Sequence, residues 1–356
     1  IQYWDANNLY GAAMSMKLPT GNFKWLSSKM VKQFDVENVD TNSTGYILEV
    51  DLDYPKELHD LHDEYPLAPE RLKIGNVVKL VPNLNNKRNY VIHIENLRLY
   101  MKLGLKLKKI YRILSFDHSQ WMKPYIDFNT DKRSKAKNAF EKDFFKLMNN
   151  AAFGKTMENV KNRINYYLVS DKKQMDKMVA KPYYLRTDII NEQLVGIEMQ
   201  KLSLTLNKPI YVGFCVFELS KTIMYDFHYN YIKKMYGNNA KLLFTDTDSL
   251  MYEIKTEDVY EDIKNDLDKF DTSDFPKDHV LFSEVNKKVI GKFKDEACGK
   301  QITEFVGLRP KLYSFKFEDN GSNVEVKKAK GVTKSVIKSS LKHDFYKQCL
   351  LSGETS

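Results

Sequence analysis

Residues 241–254, KLLFTDTDSLMYEI, form an apolar run that is interrupted by two aspartates, Asp246 and Asp248, with one threonine between them. In an extended segment side chains alternate between faces with period two, so both carboxylates are expected on one side of the backbone. Like charges held this close raise each other's pKa unless a cation lies between them or water screens them. The apolar flanks predict two strands around a tight turn, which favours a shared divalent cation. The alternative is a solvated turn, where an Asp-x-Asp pair is common.

The composition is that of a folded protein. With 42% hydrophobic and 13% aromatic residues, the 356-residue chain can bury one large core or two to three smaller lobes. No window approaches the ~18 uninterrupted apolar residues of a membrane span, so we expect a soluble protein without membrane contact. Cys215, Cys298 and Cys349 are far apart and lack metal-binding spacing, which argues against a disulfide framework or zinc site and favours an intracellular, reducing compartment. The net charge of +9 suits a polyanionic partner, although an ordinary basic enzyme can carry it too.

The chain opens with IQYWDANNLYGAAM, without an initiating methionine or signal sequence, so we expect a piece of a longer product. Asp5 follows an aromatic strand segment at the point where the pattern changes to helix, and Tyr10 lies five residues further on. Asp5 is either a functional acid at a strand end or a helix cap, which is the usual role of an aspartate before an apolar run. Tyr10 is either part of the same site or a core residue.

A helical stretch in the middle of the chain, EKDFFKLMNNAAFGK, supplies a third set of polar residues. Lys142, Lys146 and Asn150 are spaced by four and Phe153 by three more, so these side chains share one helix face. Two ammonium groups and an amide on one stripe match a triphosphate. The alternative is an ordinary solvated face.

The tail contains lysines at a helical spacing. Lys330, Lys334, Lys338 and Lys342 repeat every four residues beside apolar residues, which predicts a basic helix face suited to a duplex backbone. A solvated lysine face is the alternative.

Further secondary structure is predicted from apolar periodicity. The expected elements are a strand over residues 44–54, a strand and a basic amphipathic helix broken near Gly104 within residues 90–115, a helix over residues 135–163, strands over residues 164–170 and 193–207, a helix closing on Gly237, and a helix at about residues 257–268.

The order of these motifs resembles that of the family B DNA polymerases. DANNLYGAAMSMKLPTG resembles motif A of that family, KLMNNAAFGK motif B, FTDTDS motif C, and RPKLYSF its Lys-x-Tyr motif. Within the family, the chain is most similar to the protein-primed branch of phages, linear plasmids and Polinton-type transposons, which carries extra segments between motifs A and B and between B and C. The resemblance runs over essentially the whole chain.

The resemblance implies an α+β right-hand polymerase fold with palm, fingers and thumb, in which the palm is an antiparallel sheet packed with helices. The implied division is residues 1–44 for the first part of the palm with motif A, 45–130 for an insertion-like segment, 131–165 for the fingers with motif B, 166–208 for a second insertion-like segment, 209–300 for the second part of the palm with motif C, and 301–356 for a partial thumb.

The resemblance also implies a metal site. Nucleotidyl transfer uses two divalent ions about 3.5 to 4 Å apart, which are Mg²⁺ in this family, with Mn²⁺ able to substitute. Asp5 and Asp248 are the implied bridging ligands, the Ala6 carbonyl assists, and Asp246 is a close auxiliary. An open acidic cluster suits Mg²⁺, which prefers hard oxygen ligands and retains waters.

A nucleotide site follows from the same resemblance. Lys142 and Lys146 would face the triphosphate, while Asn150 and Phe153 would lie beneath the nascent base pair. Tyr10 would pack against the sugar, where a 2'-hydroxyl would clash with its ring.

The implied DNA-binding residues come from motif B, motif C, the Lys-x-Tyr motif and the tail. They are Gly154, Thr247, Ser249, Lys311, Tyr313, Lys330, Lys334, Lys338 and Lys342. The chain departs from the family pattern at Ala151 and Phe153, where Ser and Tyr are usual, and at Gly11, where Pro is usual. These changes affect base-pair checking rather than metal chemistry.

The resemblance therefore implies a DNA-directed DNA polymerase that adds deoxynucleotides to a primer 3' end during viral or transposon replication. Its expected partners are primer-template DNA, deoxynucleoside triphosphates and a terminal priming protein, and a monomer acting in the nucleus or at a viral replication site is expected. Because motif A begins at residue 5, we expect the chain to lack the exonuclease domain and not to proofread. The alternatives are an inactive DNA-binding protein with the polymerase fold and a metal-dependent sugar-nucleotide transferase.

Overall fold

The computed structural model of the chain describes residues 1–319 and 321–353. It divides into two units, the first formed by Ile1–Asn150 with the residues from Cys215 onward and the second by Ala151–Phe214. Both units combine helices and strands, which confirms the expected α+β class.

The strands of the described residues are β1 (Gln2–Ala6), β2 (Leu18–Trp25), β3 (Thr44–Asp53), β4 (Glu70–Ile74), β5 (Val77–Val81), β6 (Lys87–His93), β7 (Lys106–Ser119), β8 (Asn165–Val169), β9 (Tyr184–Asn191), β10 (Leu194–Met199), β11 (Ala240–Asp246), β12 (Ser249–Ile254), β13 (Phe270–Asp271), β14 (Phe293–Asp295), β15 (Ile302–Arg309), β16 (Leu312–Asp319) and β17 (Ser322–Ala329).

The α-helices of the same residues are α1 (Leu9–Met14), α2 (Ser28–Lys32), α3 (His59–His62), α4 (Ile94–Lys102), α5 (Lys123–Ser134), α6 (Ala139–Thr156), α7 (Lys172–Val179), α8 (Ile210–Tyr225), α9 (Lys233–Tyr236), α10 (Val259–Ile263), α11 (Lys334–Ser339) and α12 (His343–Ser352). A π-helical segment, Asp226–Ile232, joins α8 to α9. Within the described residues, none of the helices has both the length and the apolar content needed to cross a membrane.

A five-stranded sheet with the order β11-β12-β1-β14-β13 lies at the centre of the first unit. β1 runs antiparallel to both of its neighbours, β12 and β14, although these strands lie far away along the chain. β11 and β12 form the predicted hairpin. This topology brings the opening segment of the chain next to the hairpin that carries Asp246 and Asp248.

Aromatic packing holds β1 in place. Trp4 is 1% exposed, with its ring edge-on to Phe227 at 5.7 Å and 5.8 Å from the ring of Tyr252. Burial of a large apolar side chain contributes about 1.5–3 kcal/mol, so β1 is strongly tied to the helix side of the sheet. Tyr3 packs in a different cluster with Phe315, on the opposite face. Because side chains alternate along a strand, Asp5 lies on the same face as Tyr3.

The other sheets of the first unit flank this centre. A four-stranded sheet has the order β2-β7-β3-β6, an antiparallel meander has the order β15-β16-β17, and β4 and β5 form a hairpin. The strand predicted for residues 44–54 is confirmed as β3. Gly104, with φ +106°, separates α4 from β7, so the predicted break is confirmed, but the residues after it continue as a strand and not as a helix.

The second unit contains the antiparallel sheet β8-β10-β9 and α7. Val169, Met178, Ile197 and Met199 form its buried core. The predicted strand over residues 164–170 is confirmed as β8, whereas the one predicted for residues 193–207 is wrong beyond Met199, where β10 ends.

The helix predicted for residues 135–163 is wrong in extent. The α-helix within that range is limited to α6, and α5 precedes it as a separate helix. The reason is a cap between them, because the Asn138 side chain accepts the Glu141 N–H at 2.9 Å and the Glu141 carboxylate accepts the Lys137 N–H at 2.9 Å.

The basic helix predicted for the tail is also wrong. Between Lys330 and Lys342 only α11 is helical. Lys330 lies in the turn after β17, and Lys342 immediately precedes α12. Gly331, with φ +95°, blocks extension of α11 towards Lys330. Ser339 and Ser340, which favour caps over helix interiors, end it on the other side.

A buried imidazole beneath the sheet predicts acid sensitivity. His228 is fully buried, its Nδ1 lies 2.9 Å from the Tyr252 hydroxyl, and its Nε2 has no partner among the described residues. Burial, then the charges of Lys233 and His62, lowers the pKa of His228 to about 3. The unfolded chain thus binds more protons than the folded chain between pH ~6.5 and the folded pKa, so stability falls as the pH falls through that window.

We expect His228→Asn, whose amide can replace Nδ1 but does not titrate, to flatten the decline in melting temperature between pH 7 and pH 4. Its absolute stability should be lower at pH 7, because a smaller side chain leaves part of the pocket unfilled. Thermal unfolding of both proteins across this pH range checks the prediction. Equal pH slopes would contradict it.

Candidate functional site

Asp5, Asp246 and Asp248 lie at neighbouring backbone positions at one end of the central sheet. Ser249 on β12 pairs with Asp5 on one side and with Asp246 on the other. The Ala6 N–H donates to the Asp248 carbonyl at 2.7 Å, which ties the end of β1 to the hairpin turn. The two acidic motifs, which are remote in sequence, therefore form one site.

The hairpin turn places Asp248 differently from the sequence expectation. β11 ends at Asp246 and β12 starts at Ser249, with Thr247 in the left-handed region at φ +61° and the Asp248 N–H donating to the Asp246 carbonyl at 2.7 Å. Strand alternation does not extend across such a tight turn. The two carboxylates are neighbours because of the turn. The expectation of an uninterrupted period-two pattern was therefore wrong. The expectation of two strands around a tight turn is confirmed.

Asp5 and Asp248 are electrostatically coupled. Burial, then the negative charges of Asp248 and Glu296, raises the pKa of Asp5 to about 7. Burial also raises the pKa of Asp248, with the charge of Asp246 adding to the shift. The ammonium group of Lys146 opposes both shifts, so this lysine of α6 lies near both carboxylates.

Asp246 is paired with a cation. Its Oδ1 lies 2.5 Å from Nζ of Lys311, which sits in the turn between β15 and β16. Pro310 followed by Lys311 at φ +62° is the pattern of a type II turn. The Lys-x-Tyr motif is thus a turn that projects a lysine onto the aspartate hairpin.

Tyr313 supports the site through hydroxyl contacts. Its OH lies 3.1 Å from the OH of Tyr3, which in turn lies 3.3 Å from Oγ of Ser249. Tyr313 is only 4% exposed, so its ring is mostly packed against the protein.

The aspartates open into a cavity of about 870 Å³. Its lining includes many of the predicted site residues: Asp5, Asp246, Thr247, Asp248, Ser249, Lys311, Tyr313, Lys330, Lys334 and Lys338. The structure thus brings together the three aspartates and most of the predicted DNA-binding lysines. Lys342 is not part of this lining.

The predicted nucleotide residues are distributed over two helices. Tyr10, on α1, lies near Asp248, because burial and then the charge of Asp248 raise the pKa of its hydroxyl. Lys142, Lys146 and Asn150 lie on the part of α6 that belongs to the first unit. Phe153 and Gly154 lie further along the same helix, in the second unit.

Sequence reasoning missed two charged residues at the site. Lys294 on β14 pairs directly with Asp5 in the sheet register, and Glu296 lines the cavity. The Glu296 N–H donates to the Tyr3 carbonyl at 2.8 Å, which holds it beside β1. The alternation of charged residues in GKFKDE was the available signal in the sequence. Only the pairing of β14 with β1 shows that these charges lie beside Asp5.

The carboxylates were tested for a fit to a metal ion. Within residues 1–319 and 321–353, no three acidic, imidazole or thiol side chains converge closely enough to enclose one. Asp5 and Asp248 nevertheless suit a hard divalent cation, because both are half-buried, burial raises the pKa of each, and the charge of Asp248 raises the pKa of Asp5 further. A cation between them would offset both the repulsion and the cost of burial.

Comparison with known proteins shows the family. The family model described as DNA polymerase type B, organellar and viral, matches residues 1–234. This chain belongs to that family. The match includes motif A with Asp5 on β1 and motif B with Lys146 on α6, and it confirms the resemblance to this family. No curated protein sequence matches the chain.

Solved structures agree on the fold of this type B polymerase. Phi29 DNA polymerase in an orthorhombic crystal form is similar with a TM-score of 0.56 and 17% identity, over 97% of this chain and 53% of that one. Phi29 DNA polymerase complexed with primer-template DNA and incoming nucleotide substrates gives a TM-score of 0.57 and 18% identity, over 97% and 52%. The chain spans about half the length of these relatives.

Proposed function

We propose that this chain is a template-directed DNA polymerase that adds deoxynucleotides to a primer 3' end by metal-assisted nucleotidyl transfer. The observation that supports it best is the meeting of Asp5 and Asp248 beside Lys146 in a chain of the type B family. A sugar-nucleotide transferase would share only the aspartate pair. The phi29 polymerase complex that holds primer-template DNA and nucleotides has the same fold, which supports the choice of substrates.

The proposed parts of the molecule follow the expected division. Residues 1–44 and 209–300 would form the palm, and they supply all five strands of the central sheet. Residues 131–165, with α6, would form the fingers, and residues from 301 onward, with the β15-β16-β17 meander, the thumb. The segments 45–130 and 166–208 would be the insertions of a protein-primed enzyme, so a priming protein is a proposed partner.

In this proposal Asp5 and Asp248 would hold two Mg²⁺ ions with the help of the Ala6 carbonyl and Asp246. When bound, these ions would lower the pKa of the primer hydroxyl and neutralise charge on the leaving pyrophosphate. Nζ of Lys311 is paired with Oδ1 of Asp246. On metal binding, Lys311 would either leave Asp246 or share its carboxylate with an ion.

The remaining residues position substrates. Lys146 and Lys142 would contact the triphosphate, and Tyr10 would lie against the sugar. Asn150 and Phe153 would support the nascent base pair. Lys330, Lys334 and Lys338, which line the cavity, would contact DNA phosphates. Lys342, Gly154, Thr247, Ser249 and Tyr313 would belong to the DNA-binding region around them.

A primer-extension assay with the purified chain, Mg²⁺ and the four deoxynucleotides tests the proposed activity. We expect Asp5→Asn and Asp248→Asn each to abolish extension with little change in primer-template affinity, because metal charge is lost and the basic surface is kept. Mg²⁺ should raise the melting temperature of the wild type and not that of either variant.

Asp60→Asn, which removes the same charge from an exposed position on α3, is the control. Wild-type rates in Asp248→Asn would contradict the metal assignment, and a wild type that binds DNA without extending it would indicate an inactive polymerase fold.

Two lysines should give different defects. Lys146→Ala should impair nucleotide use, with a higher KM, a lower kcat and about 10- to 100-fold lower kcat/KM, since charge-assisted hydrogen bonds contribute about 1.5–3 kcal/mol. Lys338→Ala should instead weaken binding to duplexes of all sequences and reduce the slope of log K against log salt by about 0.9. Steady-state kinetics and salt titrations separate the two. The same defect in both variants would contradict the division between fingers and thumb.

Tyr10 should act on sugar selection. Tyr10→Val should lower discrimination between deoxynucleotides and ribonucleotides by orders of magnitude, because exclusion by overlap with a rigid ring is lost. The ratio of kcat/KM for the two sugars measures this effect, and Tyr10→Phe, which keeps the ring, should preserve discrimination. Unchanged selectivity in Tyr10→Val would assign the ring to the core.

A further inference from the structure

Tyr3 lies at the centre of a chain of three hydroxyl groups beside the carboxylates. It precedes Asp5 by two residues on β1 and lines the same cavity. Its hydroxyl lies 3.3 Å from Oγ of Ser249 on β12 and 3.1 Å from the hydroxyl of Tyr313 on β16. Ser249 in turn donates its hydroxyl proton to the Asp246 carbonyl at 3.3 Å. The chain therefore runs from the Lys-x-Tyr motif through β1 to the aspartate hairpin.

The three residues of this chain are almost completely withdrawn from water. The exposed fraction is 7% for Tyr3, 2% for Ser249 and 4% for Tyr313. A buried hydroxyl that loses its partner is left unsatisfied, which costs free energy. Each of the three is thus held at hydrogen-bonding distance from the next, and the chain fixes the separation of β1, β12 and β16 at the site.

The direction of the chain follows from the number of protons. Each hydroxyl carries one proton, and Ser249 uses its own on the Asp246 carbonyl. Ser249 therefore accepts from Tyr3, and Tyr3, whose proton is then used, accepts from Tyr313. Because the proton of Tyr313 points into the protein, this residue cannot donate to a DNA phosphate while the chain is intact.

Aromatic packing holds the ring of Tyr3 independently of its hydroxyl. The ring lies 5.4 Å from that of Phe244 on β11 and edge-on to Phe315 on β16 at 5.8 Å. Phe244 also packs against the ring of Tyr313 at 4.6 Å. Removal of the Tyr3 hydroxyl alone would keep these ring contacts and take away the acceptor that the chain gives to Tyr313.

The turn that precedes Tyr313 is the element that the chain positions. Nζ of Lys311 lies 2.5 Å from Oδ1 of Asp246, and the Lys311 carbonyl accepts the Lys330 N–H at 3.0 Å. The φ of Lys311, +62°, lies in the left-handed region, and such a backbone persists where its surroundings dictate it. Since Tyr313 follows Lys311 by two residues, its bond to Tyr3 fixes the position of both lysines relative to the hairpin.

The partners of Tyr3 distinguish it from an ordinary buried tyrosine. A buried tyrosine normally finds a partner for its hydroxyl, so a satisfied hydroxyl by itself assigns no role. Both partners of Tyr3, however, belong to motifs of the site, because Ser249 directly follows Asp248 and Tyr313 belongs to the motif of Lys311. A displacement of Tyr3 would be passed to both motifs at once.

We propose that Tyr3 is a positioning residue for the primer strand. Its hydroxyl fixes where Lys311 holds a primer phosphate relative to the carboxylates of the site. The identity of the ligand rests on the proposed polymerase function, whereas the effect of Tyr3 on duplex binding can be measured without catalysis. Tyr3 acts through Lys311 and Tyr313 and does not itself contact substrate.

Affinity of the full chain for primer-template DNA, measured with Mg²⁺ but without nucleotides, tests the proposal independently of nucleotide addition. Tyr3→Phe should weaken binding by about threefold or more and reduce the slope of log K against log salt by about 0.9, because Lys311 no longer meets its phosphate. Lys311→Ala should reduce the slope by the same amount.

Tyr54→Phe is the matched control for this experiment. Tyr54 is 4% exposed, and its hydroxyl contacts Nδ1 of His62 at 2.8 Å in a different core cluster. Both variants should melt at a lower temperature than the wild type, because each leaves a buried polar partner unsatisfied. DNA affinity and salt slope should change only in Tyr3→Phe, and equal values in the two variants would overturn the proposal.

Primer extension gives a second readout. Tyr3→Phe should lower kcat by about tenfold or more and leave the KM for deoxynucleotides within about twofold, because the primer end is displaced while the nucleotide site on α6 is untouched. The double variant Tyr3→Phe/Tyr313→Phe should be no slower than Tyr313→Phe alone, since both substitutions break the same link. Additive losses in the double variant, or a wild-type kcat in Tyr3→Phe, would contradict the positioning role.

The two readouts separate the positioning role from the proposed activity. A wild type that does not extend primers, while Tyr3→Phe still lowers the salt slope of duplex binding, would refute the polymerase function and leave the role of Tyr3 standing. A wild type that extends primers, while Tyr3→Phe behaves as Tyr54→Phe does in both assays, would refute the role of Tyr3 and leave the polymerase function standing.

Discussion

The repulsion between Asp5 and Asp248 is the constraint around which this part of the molecule is arranged. Burial and then the negative charge of Asp248 raise the pKa of Asp5, and β1, the strand that carries Asp5, is held from several sides. Trp4 anchors one face of the strand in the aromatic core, and the Ala6 N–H ties its end to the Asp248 carbonyl.

Positive charge then surrounds the carboxylates without neutralising them completely. Lys311 pairs with Asp246, while Lys146 acts on Asp5 and Asp248 through space. The hydroxyl chain of Tyr3, Ser249 and Tyr313 connects the central sheet to the C-terminal meander that carries Lys311. The position of Lys311 is therefore coupled to the aspartate hairpin by packing and hydrogen bonds as well as by charge.

Much of this site could be predicted from the sequence, because each motif is a local pattern. Asp5, Asp248 and Lys146 were found from a strand end, a hairpin and a helix stripe, and the structure brings all three together. Glu296 and Lys294 were not found, since their importance depends on the pairing of β14 with β1, and that pairing leaves no local signal.

The errors also have local physical causes. The spacing of the tail lysines suggested one helix, but the left-handed Gly331 and the two serines that follow Lys338 limit α11 to a few residues. Lysines 330, 334 and 338 still line the same cavity, because the turn before α11 brings Lys330 back towards the helix. Periodicity predicted the wrong element, yet three of the four lysines line one cavity, since a turn followed by a short helix can present side chains on one side as a continuous helix does. What the site requires is the position of the charges, and the backbone that supplies them can vary.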